Sequence, residues 1–206
     1  MTTVKVWADF TCPYCYIAKH AFYQVVKDLD RLDLKLEVMS FELNPNQGSD
    51  EVRGLVDNLA ASYGISLAEA TEMAQTSERE VKAAGLPADF LKIRQSSTHD
   101  AHRLYHYALT QGLGMTFFDL AQQAYFVDGI VLSDRVSLLE LAAAAGLEES
   151  AADQVLQSDA FAEAVKADHD RAVQKQIQYV PHFVWSDGSF SEGVLKYDDL
   201  KVALED

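Results

Sequence analysis

The chain has 206 residues, 49% of them apolar, enough to bury a sizeable core in one domain or in one domain carrying an insertion. Its 17 basic and 32 acidic residues give a formal charge of -15, which repels phosphate backbones and anionic lipid and argues against nucleic-acid or membrane-surface partners. No apolar run approaches the roughly 20 residues of a membrane-spanning helix, and MTTVKVWADF lacks the pattern of a secretory leader, so the expected location is the cytoplasm.

Val4 to Phe10 (VKVWADF) is rich in β-branched and aromatic residues and reads as a buried strand. Tyr16 to Leu29 places Ile17, Ala18, Ala21, Phe22, Val25, Val26 and Leu29 at helical spacing. Between them, Cys12-Pro13-Tyr14-Cys15 holds the only two cysteines of the chain. Thr11 is the expected N-cap and Pro13 suits the first helical turn, which puts Cys12 at the helix N-terminus. Backbone donors and the positive end of the helix dipole stabilise a thiolate there, making Cys12 the nucleophile and the deeper Cys15 the resolving thiol of a redox pair. The competing readings are half a zinc site and two inert core thiols. A structural zinc site needs four ligands; no second cysteine pair exists, and His20 is the only histidine nearby in sequence.

Lys35 to Leu43 is a second strand candidate, broken by Asn44-Pro45-Asn46-Gln47-Gly48. Helical periodicity then runs through Ser49 to Tyr63, and Ser66-Leu67-Ala68-Glu69 is a capping box opening a helix to about Ala84. Further helical patterns cover Thr98 to Gln111, Thr116 to Val127, Asp134 to Ala145 and about Ser158 to Gln176. The acidic run Glu148-Glu149 and the acids from Asp153 to Asp170 are expected on solvated helix faces. Val180 to Trp185 reads as a strand beginning with a proline, Ser186 to Ser189 as a hairpin turn, Phe190 to Val194 as its partner, and Tyr197 to Glu205 as a closing helix. The order is strand, helix, strand, a long helical block, then hairpin and helix. That is an α/β thioredoxin fold, β-α-β then β-β-α, with an all-helical insertion after its second strand: residues 1–44 plus 177–206 form the thioredoxin-like domain and 45–176 the inserted one.

These residues carry a resemblance. Asp9-Phe10 followed by Cys12-Pro13-Tyr14-Cys15-Tyr16 resembles the active-site segment of the DsbA family of thiol-disulfide oxidoreductases, and of its FrnE-type branch in particular. Phe41-Glu42-Leu43-Asn44-Pro45, Asp100-Ala101-His102-Arg103-Leu104 and Ala124-Tyr125-Phe126 are similar to further blocks of that branch. Val180-Pro181 resembles the family's cis-proline loop, which implies that both residues bind substrate against the cysteine pair, with the Val180 backbone pairing with an extended segment. The resemblance also implies that Pro13 and Tyr14 tune the redox potential. It implies a disulfide- or thiol-containing protein or peptide as substrate, or glutathione, with no cofactor, no metal, and a monomeric or homodimeric state.

The chain departs from the family in two places. Val6 stands where many relatives carry a buried acid that relays a proton to the second thiol, which leaves Asp9 or Lys19 as candidates for that transfer. His182 follows the proline where an apolar residue is usual; it either tunes Cys12 or is turned away by strand alternation. His99, His102 and His106 recur at helical spacing, as metal ligands or a proton relay on the sharper reading and as a solvated or capping face with Arg103 on the plainer one. Tyr105, Tyr107, Phe117, Phe118, Tyr125 and Phe126 are expected in the core of the helical block. Two further functions stay open: a glutathione-dependent isomerase or kappa-class transferase, against which both cysteines argue, and a non-catalytic redox sensor or binding module.

Overall fold

The structure, a computed structural model, describes residues 2–193 and 195–205, so Val194 at the end of the expected hairpin lies outside the described residues. Strand β1 (Thr2–Ala8) runs parallel to β2 (Leu34–Ser40), joined by helix α1 (Pro13–Asp28). Near the C-terminus β5 (His182–Val184) pairs antiparallel with β1 and with β6 (Phe190–Glu192), giving the order β2-β1-β5-β6. This is a thioredoxin-like sheet, and helix α9 (Tyr197–Glu205) packs beside α1.

Between β2 and β5 lie helices α2 (Leu55–Tyr63), α3 (Leu67–Ala83), α4 (His99–Thr110), α5 (Gly114–Gln123), α6 (Arg135–Ala144), α7 (Glu149–Leu156) and α8 (Ala162–Gln174). The capping box forms as its sequence predicts: the Ser66 hydroxyl accepts from the Glu69 N–H while Glu69 accepts from the Ser66 N–H. The pattern over Ser49–Tyr63 is helical only from Leu55, because Arg53–Gly54 (β3) pairs with Arg94–Gln95 (β4). The pattern over Thr116–Val127 ends in a π-helical turn, Ala124–Asp128. Gly129 closes that turn at φ +68°, where an added Cβ would lie 2.3 Å from the Lys92 carbonyl oxygen, so only glycine fits. The stretch from Ser158 begins its helix only at Ala162, and α7 was hidden among the acids: Glu148 is its N-cap, accepting from Ser150 and Ala151.

Alternation along β1 sorts the core. Val4 and Val6 face α1 together with Phe22 and Phe183, in one continuous apolar core that extends through Phe117, Phe118, Tyr125 and Phe126 of the helical block. Trp7 faces the other side, packed with Met39, Ala172 and Ile177 under α8. The outer edge of β2 is covered rather than left open. Val38 N–H donates to the Tyr105 hydroxyl at 2.9 Å and Ser40 N–H donates to Asp168 Oδ2 at 2.9 Å, so α4 and α8 satisfy donors that an edge strand would otherwise present.

Candidate active site

After Ala8 the chain turns through Asp9-Phe10-Thr11, with Cys12 N–H donating to the Asp9 carbonyl at 3.4 Å. Cys12, not Thr11, is the N-cap of α1: its backbone is extended (φ -82°, ψ 113°) and its Sγ accepts the Cys15 N–H at 3.2 Å, the place a capping oxygen usually takes. Pro13 follows in the first helical turn, where its missing N–H costs no hydrogen bond. Across the site, Cys12 Sγ donates to the Val180 carbonyl at 3.8 Å, and the Val180–Pro181 peptide is cis. Residues at opposite ends of the sequence therefore meet at one sulfur.

Both thiols are free and buried, Cys12 at 4% and Cys15 at 2% exposure. Burial pushes the Cys15 thiol well above its ordinary range, and the hydrogen bond and charge of Cys12 push it further; the Asp9 backbone N–H opposes this while the Asp9 carboxylate adds to it. Tyr14 projects the other way. Burial, then the Glu80 carboxylate beside it, holds its hydroxyl protonated to higher pH than usual, with Ser77 opposing. Its ring lines a cleft of about 560 Å³ together with Ile17, His20, Glu80, Lys196 and Tyr197, so α3 of the helical block supplies one wall.

His182 lies on the opposite face of the sheet from α1. It sits opposite Trp7 in the β1–β5 register, its ring meets the Trp7 ring edge-on at 6.2 Å and stacks on Phe190 at 5.1 Å, while its neighbour Phe183 stacks on Phe22 of α1. Burial lowers its pKa, with Glu192 acting against it. His182 thus stands on the Trp7 side of β5.

The three histidines of α4 take separate environments instead of one solvated face. His99 meets Glu42, His102 is fully buried against the Phe10 ring with Nε2 3.5 Å from Asp9 Oδ1, and His106 Nε2 lies 3.1 Å from Ser40 Oγ and 3.3 Å from Asp168 Oδ2. Among the described residues no set of three or more such side chains is arranged to hold a metal. Arg103 is buried too, donating to the carbonyls of Val155 in the last turn of α7 and of Ser158 and Ala160 just beyond it. Asp168, expected on a solvated face, is 2% exposed and accepts from Ser40 and Arg171. Its register with Ser40 and His106 is invisible to helical periodicity, since it depends on which turn of α8 meets the end of β2.

Near the cysteines, Val6 is apolar core, as its identity dictates. Lys19, one turn beyond Cys15, is buried under the Tyr16 and Phe118 rings and paired with Asp119; burial lowers its pKa, with Asp119 opposing. Asp9 is 1% exposed and accepts from the Leu43 N–H at 2.7 Å. Gln122 and Tyr125, which sequence reasoning placed only as helix or core, complete this buried polar patch: Gln122 Nε2 donates to the Asp9 carbonyl at 3.3 Å.

The chain matches the family described as DSBA-like thioredoxin domain over residues 3–205. A probable DsbA oxidoreductase from Streptomyces coelicolor superposes with a TM-score of 0.92 at 30% identity, covering 99% of this chain and 88% of that one. The uncharacterized protein YwbO of Bacillus subtilis is 26% identical over 98% of this chain and 96% of its own length. The cytosolic disulfide reductase DsbM of Pseudomonas aeruginosa shares the fold, with a TM-score of 0.64 at 17% identity over 98% and 97% of the two chains. With its paired thiols at the head of α1, this chain belongs to the DsbA-like thioredoxin-domain family of oxidoreductases.

Proposed function

We propose that the protein exchanges disulfides with a protein or peptide substrate through Cys12 as nucleophile and Cys15 as resolving thiol, in the manner of the FrnE-type branch. The observation that carries this reading is the asymmetry of the two sulfurs. Cys12 Sγ receives the N–H of Cys15 at the head of α1, a contact that stabilises negative charge on it, whereas burial and the neighbouring charge of Cys12 hold Cys15 protonated. Attack on a substrate disulfide by Cys12 gives a mixed disulfide, and Cys15, three residues on, displaces it.

Substrate binding is supported by two features, one at Cys12 and one on the Tyr14 side of α1. The Val180 backbone, with Pro181 behind it, offers an edge to an extended segment, and the cleft lined by Tyr14 receives its side chains. Glutathione is the alternative substrate. Pro13 and Tyr14 set the redox poise, and with it whether the protein reduces, oxidises or isomerises; a potential near the reducing end of the known range fits work in the cytoplasm. The test is turnover of a disulfide-bonded peptide with a thiol donor. Cys12→Ser abolishes turnover, and a Cys12→Ser protein that keeps the native rate refutes the reading.

A further inference from the structure

The chain has 32 acidic side chains and only seven arginines, so an arginine without an acidic partner calls for a reason. Five of the seven, Arg31, Arg79, Arg103, Arg135 and Arg171, are paired with carboxylates. The two that make no ion pair among the described residues, Arg53 and Arg94, both lie on the β3–β4 ladder. We infer that Arg53 and the side-chain amides around it form a subsite for a carboxylate of the disulfide substrate, beside the loop that leaves β2. The inference rests on the oxidoreductase reading above and adds to it a preference for an acidic substrate segment.

The fold carries this loop to the cysteine end of the sheet. β1 and β2 are parallel with Ala8 opposite Ser40, so the turn before the cysteines and the loop after β2 leave the sheet together, and Phe41 N–H donates to the Ala8 carbonyl at 3.2 Å. Leu43 N–H then donates to Asp9 Oδ2 at 2.7 Å, which fixes the loop against the turn three residues ahead of Cys12. Beyond Leu43 the loop folds on itself. Gln47 N–H donates to the Asn44 carbonyl at 3.1 Å, and Gln47 Nε2 donates to the Glu51 carbonyl at 2.9 Å. The cavity of about 370 Å³ beside it is lined by Leu43, Asn44, Asn46, Arg53 and Asn58 among others.

The chemistry of that lining suits an anion. A guanidinium presents a planar fork of donors that matches a carboxylate, and neutral amide donors next to it add to the contact without competing for the charge. The side-chain amides of Asn44 and Asn46 make no hydrogen bond among the described residues, and Asn58 is positioned by donating to Gln95 Oε1. The single carboxylate in the lining, Glu51, forms no ion pair with Arg53. A chain of formal charge -15 repels an anionic segment over most of its surface, so an unopposed guanidinium is where such a segment is held.

Arg94 supplies the contrast. Arg53 lies opposite Gln95 and Gly54 opposite Arg94, so the two arginines occupy opposite faces of the ladder and line different cavities. The cavity of Arg94 is also lined by Asp50, Asp128 and Asp134. A cation among neutral donors has charge to offer a ligand, whereas one flanked by acids has little.

The test uses disulfide-bonded peptides that differ at one residue, Asp or Asn, placed at successive positions on either side of the cysteine, and a second set with the chain end free or amidated. The wild-type protein turns over the best-placed Asp peptide with a kcat/KM about tenfold above its Asn counterpart, through a lower KM, the scale of one charge-assisted hydrogen bond. A preference confined to the free-ended set supports the same subsite and makes a chain terminus its ligand. Arg53→Gln erases the preference while the Asn peptides keep their rates, and Arg53→Glu transfers it to a Lys peptide. The Arg53 side chain makes no hydrogen bond or ion pair among the described residues, so both variants retain the fold. No preference in the wild-type protein, a preference that survives Arg53→Gln, or an equal loss in Arg94→Gln overturns the subsite and leaves disulfide exchange standing. Failure of the wild-type protein to turn over any of the peptides overturns both.

Discussion

Helix α4 carries two histidine–aspartate pairs about one turn apart, one fully buried and one nearly so, and they differ in how completely they are satisfied. Around His106 the facing groups are paired: Asp168 accepts from the Ser40 N–H and from Arg171, and ring Nε2 meets Ser40 Oγ at 3.1 Å. Around His102, the ring makes no hydrogen bond and Gln122 Oε1 is also without one. The first pair sits where α4 and α8 close the edge of β2, and the second where α4 meets the Asp9-Phe10 turn. A complete network fixes a packing arrangement, whereas an incomplete one leaves buried polar groups that are costly to keep. The complete pair joins two parts of the fold, and the open pair lies on the turn that leads into the cysteine pair.

That contrast breaks most visibly at Asp168. Replacing it with Ala strands the Ser40 N–H in the interior, so chemical denaturation should show a loss of about 3 kcal/mol, while the Cys15 resolution rate at neutral pH stays as in the wild type. A slower resolution step there would remove the distinction between the two pairs. Tyr105→Phe withdraws the acceptor of the Val38 N–H on the same edge and should cost about 1–2 kcal/mol, again without a change in resolution.

His99, the third histidine of α4, separates by pH. Its pKa is raised, first by the hydrogen bond to Glu42, so the pair stabilises the folded state fully below the unfolded value of 6.5 and the contribution is lost as pH rises through the higher folded value. The effect is small because the ring is partly exposed. Denaturant midpoints taken from mildly acidic to mildly alkaline pH should fall slightly in the wild type, and Glu42→Gln should flatten that part of the profile. The smallest effect belongs to His182→Phe. With the ring on the Trp7 face, the pH profile of Cys12 alkylation should not move, and a shifted profile would show that His182 reaches the site after all.

The order of elements and the place of the cysteine pair at the head of a helix were legible because both follow from local chemistry. β-Branched runs, a cysteine ahead of a proline, and a capping box each declare themselves within a few residues. Thr11 was a reasonable cap by residue type, but a sulfur one position later does the same work, and only the backbone angles of Cys12 reveal it. Asp168, Arg103 and His102 were misread or left open for a different reason. Helical spacing says which side of a helix a residue occupies, and it assigns charged residues to solvent by default. Here carbonyls beyond α7, the edge of β2 and the Asp9 turn claim those charges, and each of those partners lies dozens of residues away. The side of β5 on which His182 lies was fixed by its pairing with Trp7, another long-range fact.

The central claim, that Cys12 attacks and Cys15 resolves, is tested most directly by trapping the intermediate. Each single Cys→Ser variant is mixed with a disulfide-bonded peptide and the adducts are mapped by mass spectrometry. The account predicts a stable mixed disulfide on Cys12 in Cys15→Ser and no comparable adduct in Cys12→Ser. An adduct forming on Cys15 in Cys12→Ser at an equal rate would contradict it.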